Sequence, residues 1–329
     1  MADAVTVAGR RIPLRAVRVG RDSVPALMPY AYCLVLVVAI SALDSGLVFG
    51  PGSLDIRAAA VLPLALVAFG QTLAVFTSGT DLAVGGILSV ATTLLATHLN
   101  GTGATLVAEL GAVVLFGAAA GGLNGAIIAR TRLQPFIVTL AMWSVWGGVA
   151  ILILPQEGGS VAPQLNGWMT GAILGVPKSV IGVVVLFLLW GWLRWSGFIL
   201  DLKAIGSDQQ RAQLVGVPVM RRKVQTYAAS GACAALAGIW LASQSGGGSP
   251  VIGNDYILQS VAAVVIGGTS IFGGVGSVAA SITGAIGLLM IPDLIYALHI
   301  SSFWTGFVQG LLLIIAVTAS SLLLKLRKT

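Results

Sequence analysis

Apolar stretches recur along nearly the whole chain, near residues 24–46, 58–78, 82–99, 104–129, 135–155, 179–198, 224–244, 256–272, 277–297 and 303–324. A helix needs about 20 mostly apolar residues to cross a bilayer, and in lipid the backbone must satisfy its own hydrogen bonds. Ten such stretches predict an all-α polytopic membrane protein of about ten transmembrane helices, some of them broken by glycine. The stretch 256–272 is the shortest and carries glycines near its end. Charged residues make up only 9% of the 329. That is too little polar surface to coat a soluble globule, which carries roughly 25%.

The distribution of cations sets the expected topology, because Lys and Arg concentrate on the cytoplasmic side of membrane proteins. With both termini inside and ten spans, the inner segments collect Arg10, Arg11, Arg15, Arg18 and Arg21, then Arg130 and Arg132, then the loop 199–223, and finally Lys325, Arg327 and Lys328. Of 18 Lys and Arg, only Arg57 and Lys178 are then left outside. This gives a basic cytoplasmic tail at 1–23, a membrane domain at 24–325 and a short cytoplasmic end at 326–329. The first apolar run begins near Val24 and is long enough to span, so it is expected to stay as a helix rather than act as a cleaved signal.

Catalytic material is sparse. Cys33 and Cys233 lie inside apolar runs as small hydrophobes, and His98 and His299 each stand alone, so no cluster has metal-ligand spacing. No phosphate-binding G-x-x-x-x-G-K-[ST] loop occurs, so the chain is not expected to bind and split nucleotide by itself. The eleven acids fall near the ends of the apolar runs, which argues against an ion-coupled pathway through the membrane centre. A pathway without its own energy source must be a passive channel or be driven by another subunit.

Two glycine-rich polar segments interrupt the apolar pattern, Ser78–Gly86 and Gly267–Ser277. Exposed peptide groups at membrane depth are tolerated where they line a cavity or are buried in protein, and broken helices border the substrate sites of many transporters. Ordinary turns at the membrane surface are the alternative. Between the sixth and seventh runs lies the charged segment 199–223. Ser207 is positioned to cap a two-turn helix over Asp208–Val215, ended by Gly216 and Pro218. Such a short helix is unstable alone, so the apolar Ala212, Leu214 and Val215 imply that it docks, either on a soluble partner or on its own membrane domain.

The loop A-I-G-S-D-Q-Q-R-A-Q-L-V-G-V-P-V resembles the coupling segment of ribose-type ABC importer permeases, the membrane subunits of monosaccharide transporters. Three further blocks agree in order and spacing: D-L-A-V-G-G from Asp81, the stretch Gly121–Leu140, and Ala262–Ser277. The resemblance implies a subunit of a bacterial plasma (inner) membrane importer for a monosaccharide or related small polar solute. Its partners would be a second permease copy or paralogue, an ABC ATPase that uses ATP and Mg, and an extracytoplasmic solute-binding protein. The chain itself would bind no cofactor or metal and would have no catalytic residues. Gly206, Ser207, Asp208, Arg211, Ala212 and Gly216 would engage the ATPase. A neutral, polar pathway has Thr80, Asp81, Asn124, Phe136, Thr139, Thr269 and Ser270 as its candidates, with Phe136 serving as a gate or a packing residue. Departures from the family pattern are Ala83 in place of serine, Val275 in place of a basic residue, and Arg211 where an alanine usually stands. The rival readings are a passive channel for small neutral solutes and an intramembrane transferase; the latter would need carboxylates or metal ligands beyond Asp81.

Overall fold

A computed structural model describes residues 4–7, 10–13, 23–50, 52–99, 101–131, 133–311 and 314. The chain is a helical bundle built on α3 (Ser53–Phe76), whose residues Val61 to Phe76 are buried without interruption. A helix apolar all round belongs at the centre of a bundle, with no face left for solvent or lipid. Around it stand α1 (Ser23–Leu43), α4 (Val84–Thr97), α5 (Ala104–Arg130), α6 (Pro135–Ile153), α8 (Lys178–Leu193), α11 (Val219–Ser245), α12 (Gly253–Ile266) and α13 (Val278–Leu289). Short helices α2 (Ser45–Phe49), α7 (Pro163–Met169), α9 (Gly197–Ser207), α10 (Gln209–Leu214) and α14 (Ile291–Ala297) fill the connections.

Among the described residues, α3, α5, α6, α11 and the stretch Val278–Ala297 are long and apolar enough to cross a membrane, five in all. The expected straight span 179–198 is instead a broken one. α8 stops at Leu193, Ser196 caps a new helix by accepting the Ile199 N–H at 3.4 Å, and α9 leaves at 79°. Counting that bent pair gives six. The outward faces of α5 and α6 remain apolar, with Leu115, Ile137, Val145 and Leu152 exposed, as lipid contact requires.

The segment 199–223 also differs from a plain loop. It holds the end of α9, all of α10 and the start of α11. The connection 156–178 contains α7 and a two-stranded hairpin, β3 (Ala172–Ile173) with β4 (Val176–Pro177), which follow β1 (Ala4–Val7) and β2 (Arg10–Pro13) of the basic tail in the numbering. Of the last apolar run, the described part is a 3-10 turn Ser302–Trp304 and helical residues 305–311; the end 326–329 lies outside the described residues.

The most extensive helix pair is α5 on α11. Gly117, Gly121 and Gly125 recur every four residues on α5, and a Cβ at Gly121 would collide with the Tyr227 carbonyl of α11. Small residues at this spacing let two backbones approach closely, which is the main source of helix association in lipid. Gly121→Leu is expected to force the pair apart at a cost of about 3 kcal/mol. The check is thermal unfolding of the detergent-solubilised chain, where an unchanged midpoint would contradict this packing.

Candidate functional site

Two of the apolar helices are too short to span. α4 and α12 have 14 residues each, or about 21 Å at 1.5 Å per residue, against a hydrocarbon core of about 30 Å. Their N-termini meet inside the bundle. A Cβ on Gly253 would collide with the Gly85 carbonyl, and the Gly253 N–H donates to Ser89 Oγ at 3.1 Å. Each half-helix is fed by an irregular segment, residues 77–83 for α4 and 246–252 for α12. The glycines at this contact are required by the close approach of the two backbones.

The first feeding segment folds back along α3. The Asp81 N–H donates to Gln71 Oε1 at 3.3 Å, and Asp81 Oδ1 accepts the Ala83 N–H at 3.1 Å. Asp81 is thereby fully buried, where the sequence alone leaves it at the end of an apolar run. The start of a helix favours a carboxylate, because the macrodipole is positive there. Tyr227 and Ser230 of α11 face Asp81, and Asn124 lies on the buried stripe of α5 that packs on Tyr227 through Ile128. Gln71 Nε2, both amide atoms of Asn124 and Tyr227 OH are buried without a hydrogen-bond partner among the described residues, and the Ser230 hydroxyl is the one side-chain group placed to pair with the Asp81 carboxylate. Each such atom costs about 1–3 kcal/mol unless water or a solute hydroxyl satisfies it. The cluster is a set of unused donors and acceptors where α3, α5 and α11 meet the segment before α4, and it is closed off in this conformation.

The other pathway candidates divide. Thr139 Oγ1 lies 3.2 Å from the Thr80 carbonyl and 3.0 Å from that of Pro135, tying α6 to the reversal before α4. Phe136 is 51% exposed on the outward side of α6, so it neither packs in the core nor lies with Asp81 and Asn124. Thr269 is buried, with its Oγ1 3.3 Å from Ser281 Oγ and 3.4 Å from the Ser277 N–H. The Ser270 N–H donates to Val275 O at 3.1 Å and closes the loop 270–275 on itself. Gln71, Tyr227 and Ser230 escape a search that looks only at interruptions, because all three sit inside long helices. Gln71 still left a signal, being the only amide in the run 61–76.

At one end of the bundle three segments converge. Ser78 Oγ lies 2.9 Å from the Gly206 carbonyl of α9 and 2.7 Å from that of Phe272, and the Gly274 N–H donates to Phe76 O at 3.2 Å. Lys203 of α9 donates to Gly276 O at 3.0 Å while its ammonium rests over the Phe76 ring. Both irregular segments singled out in the sequence, 78–86 and 267–277, are thus clamped to α9.

α10 follows. Asp208, not Ser207, caps it: Asp208 Oδ1 accepts the Arg211 N–H at 3.0 Å, while Ser207 closes α9 and donates to Lys203 O at 2.9 Å. Asp208 is displaced from the first turn because its extended backbone is what a cap needs. Arg211 Nε returns to Asp208 Oδ2 at 2.9 Å. Ala212 is buried against Ile205 and Val219, while Leu214 and Val215 point outward. Gly216 turns the chain with φ of +90°, a conformation that suits glycine.

Residues 54–317 match the family described as branched-chain amino acid transport system / permease component. The ribose import permease protein RbsC of Bacillus subtilis is 32% identical over 296 residues, 88% of this chain and 91% of that protein. RbsC of Escherichia coli K12 is 31% identical, covering 95% and 97%. The fructose import permease protein FrcC of Rhizobium meliloti is 32% identical, covering 90% and 85%. No solved structure matches the chain.

Proposed function

The chain belongs to the branched-chain amino acid transport system / permease component family, and from that premise we propose that it forms the membrane pathway of an ATP-driven importer for a monosaccharide or related small polar solute. The observation that carries the reading is α10, a six-residue helix held by its cap and by Ala212 that leaves Leu214 and Val215 uncovered. A passive channel has no use for such an edge. An ATPase in a separate chain does, because it must grip the permease to move it.

Contacts run continuously from that edge to the core. α10 rests on α9, α9 accepts the Ser78 hydroxyl at the Gly206 carbonyl and reaches Gly276 O through Lys203, and Ser78 begins the reversal that leads to Asp81 and α4. In this reading Gly206 and Ser207 transmit the motion, and Asp208, Arg211, Ala212 and Gly216 shape the docked edge. Thr80, Asp81, Asn124, Thr139, Thr269 and Ser270 respond to that motion. Opening the pathway corresponds to a shift of the two irregular segments together, since one helix clamps both. With ten spans and both termini cytoplasmic, this end would lie inside, the side to which the charge pattern assigns Arg130, Lys203, Arg222 and Lys223. Arg57, one of two cations left outside, is neutralised by Asp293 at 3.1 Å. A second permease copy or paralogue, the ATPase and a solute-binding protein at the outer face of a bacterial inner membrane complete the assembly.

The test reconstitutes the permease with its ATPase and binding protein in vesicles and measures uptake of radiolabelled ribose, fructose and allose. Uptake of at least one sugar is expected only with ATP and all partners present. Uptake that persists without the ATPase supports the passive channel instead.

A further inference from the structure

The end of the bundle opposite α10 holds a cavity of about 440 Å³ lined by Thr92, Glu157, Gly158, Gly159, Leu241, Ser245, Gly246, Gly247, Gly248, Ser249 and Ile252. That volume falls within the range of small-molecule sites, about 300–1,000 Å³. Its walls come from three places in the chain. Gly158 and Gly248 exchange two backbone hydrogen bonds, of 3.0 and 2.8 Å, which fixes the connection after α6 against the segment after α11. Thr92 of α4 donates to the Ser249 carbonyl at 2.9 Å and closes the floor. Glu157 Oε1 accepts the Ser249 hydroxyl at 2.6 Å.

The chemistry of this lining is two-sided. Leu241 and Ile252 offer an apolar patch, and five glycines bring peptide groups to the surface with no side chains in front of them. The peptide of Gly159 and Glu157 Oε2 have no partner among the described residues. A monosaccharide has the matching form, a C–H face on one side and a rim of hydroxyls. A carboxylate accepts two such hydroxyls with charge-assisted bonds, while the backbone can donate and accept around the rest of the rim. No cation lines the cavity, so an anionic sugar phosphate finds nothing to neutralise it.

The cavity also stands in line with the interior. Its floor residue Ser249 lies in the segment 246–252 that feeds the buried N-terminus of α12, where Gly253 meets Gly85. We propose that this cavity is a loading site that takes a neutral monosaccharide at the outer face, with Glu157 and Ser249 binding its hydroxyls and Leu241 and Ile252 its C–H face. The proposal rests on the outer placement of this end and on the sugar substrate argued above. It adds a specificity-determining station in the permease itself, upstream of the buried Asp81 cluster.

Labelling of Ser245→Cys tests this, in the full-length chain in nanodiscs with Cys33 and Cys233 replaced by alanine and with a polar methanethiosulfonate reagent. Ribose, fructose and allose are the probes, and at least one is expected to slow labelling of Ser245→Cys. Labelling of Leu174→Cys, at the tip of the β3–β4 hairpin, should not change. Adding Glu157→Gln should raise the sugar concentration needed for protection by about tenfold, the effect of one charge-assisted hydrogen bond. In the reconstituted importer the same variant should slow sugar uptake. Protection by none of the three sugars overturns the loading site, as does protection unaltered by Glu157→Gln. The readout needs no ATPase: transport without protection defeats the cavity alone, and protection without ATP-driven uptake defeats the importer reading alone.

Discussion

Gly206→Val is expected to lower the thermal stability of the chain and abolish transport together. A Cβ at this position of α9 would collide with the Phe76 carbonyl and stand 2.6 Å from the Gly274 nitrogen. Both are backbone atoms at a three-way junction, so no side chain can swing away to make room. Overpacking a tight site costs about 1–3 kcal/mol, and the upper end applies where two backbones must separate. Ser78 Oγ would lose its contacts with the Gly206 and Phe272 carbonyls in the same movement. Ser78→Ala removes only that hydroxyl and should cost about 1 kcal/mol. Unfolding midpoints of the solubilised variants decide the matter: a wild-type midpoint for Gly206→Val means that α9 is not clamped here.

This expectation departs from what the sequence alone suggests for Gly206, and the departure is instructive. Read as part of a charged loop, Gly206 belongs to a docking surface, and replacing it should uncouple the motor from a folded permease. In the folded chain it is an interior joint instead. Nothing in A-I-G-S distinguishes the two, because its partners, Phe76 and Gly274, lie 130 and 68 residues away in the numbering. The short helix after it was legible because caps and terminators are local: Asp208, Gly216 and Pro218 bracket it within eleven residues. Even there the cap moved by one residue, since Ser207 finds its bond in the preceding turn.

The helical, membrane-spanning character of the chain was legible for the opposite reason. It depends on composition and run length, which no tertiary contact can overturn. Breaks within runs were harder to foresee. The bend between Leu193 and Gly197 falls in the segment W-L-R-W-S-G-F, where Arg194, Ser196 and Gly197 mark a break but do not set its angle. The sequence flagged the glycine segment before α4 and the one after α12, but not the segment 246–252 that feeds α12, and the meeting of the two half-helices at Gly85 and Gly253 joins residues 168 apart. For the same reason the sequence could nominate Asp81 and Asn124 but not supply Gln71, Tyr227 and Ser230. Those three are brought to the carboxylate by packing of α3 and α11.

The double variant Leu214→Asp, Val215→Asp is expected to leave the permease folded and to strip it of its ATPase. The two side chains are 86% and 80% exposed, so neither contributes to the fold. Surface substitutions of this kind shift stability by about 0.5 kcal/mol or less. α10 itself should persist, because Ala212 and the Asp208 cap hold it from the other side. In the assembled importer the same side chains would be covered, each burial worth about 1.5–3 kcal/mol, and two carboxylates would then have to be desolvated without partners. Losing about 3 kcal/mol weakens association by more than a hundredfold. Arg211→Ala makes the contrast: its pair with Asp208 is exposed and worth at most about 1 kcal/mol, so binding should weaken only slightly. Co-purification of the ATPase with tagged permease, read beside the unfolding midpoint, separates the cases. Retention of the ATPase by the double variant would mean that the motor grips this chain elsewhere, and that the uncovered edge of α10 faces lipid headgroups or a second copy.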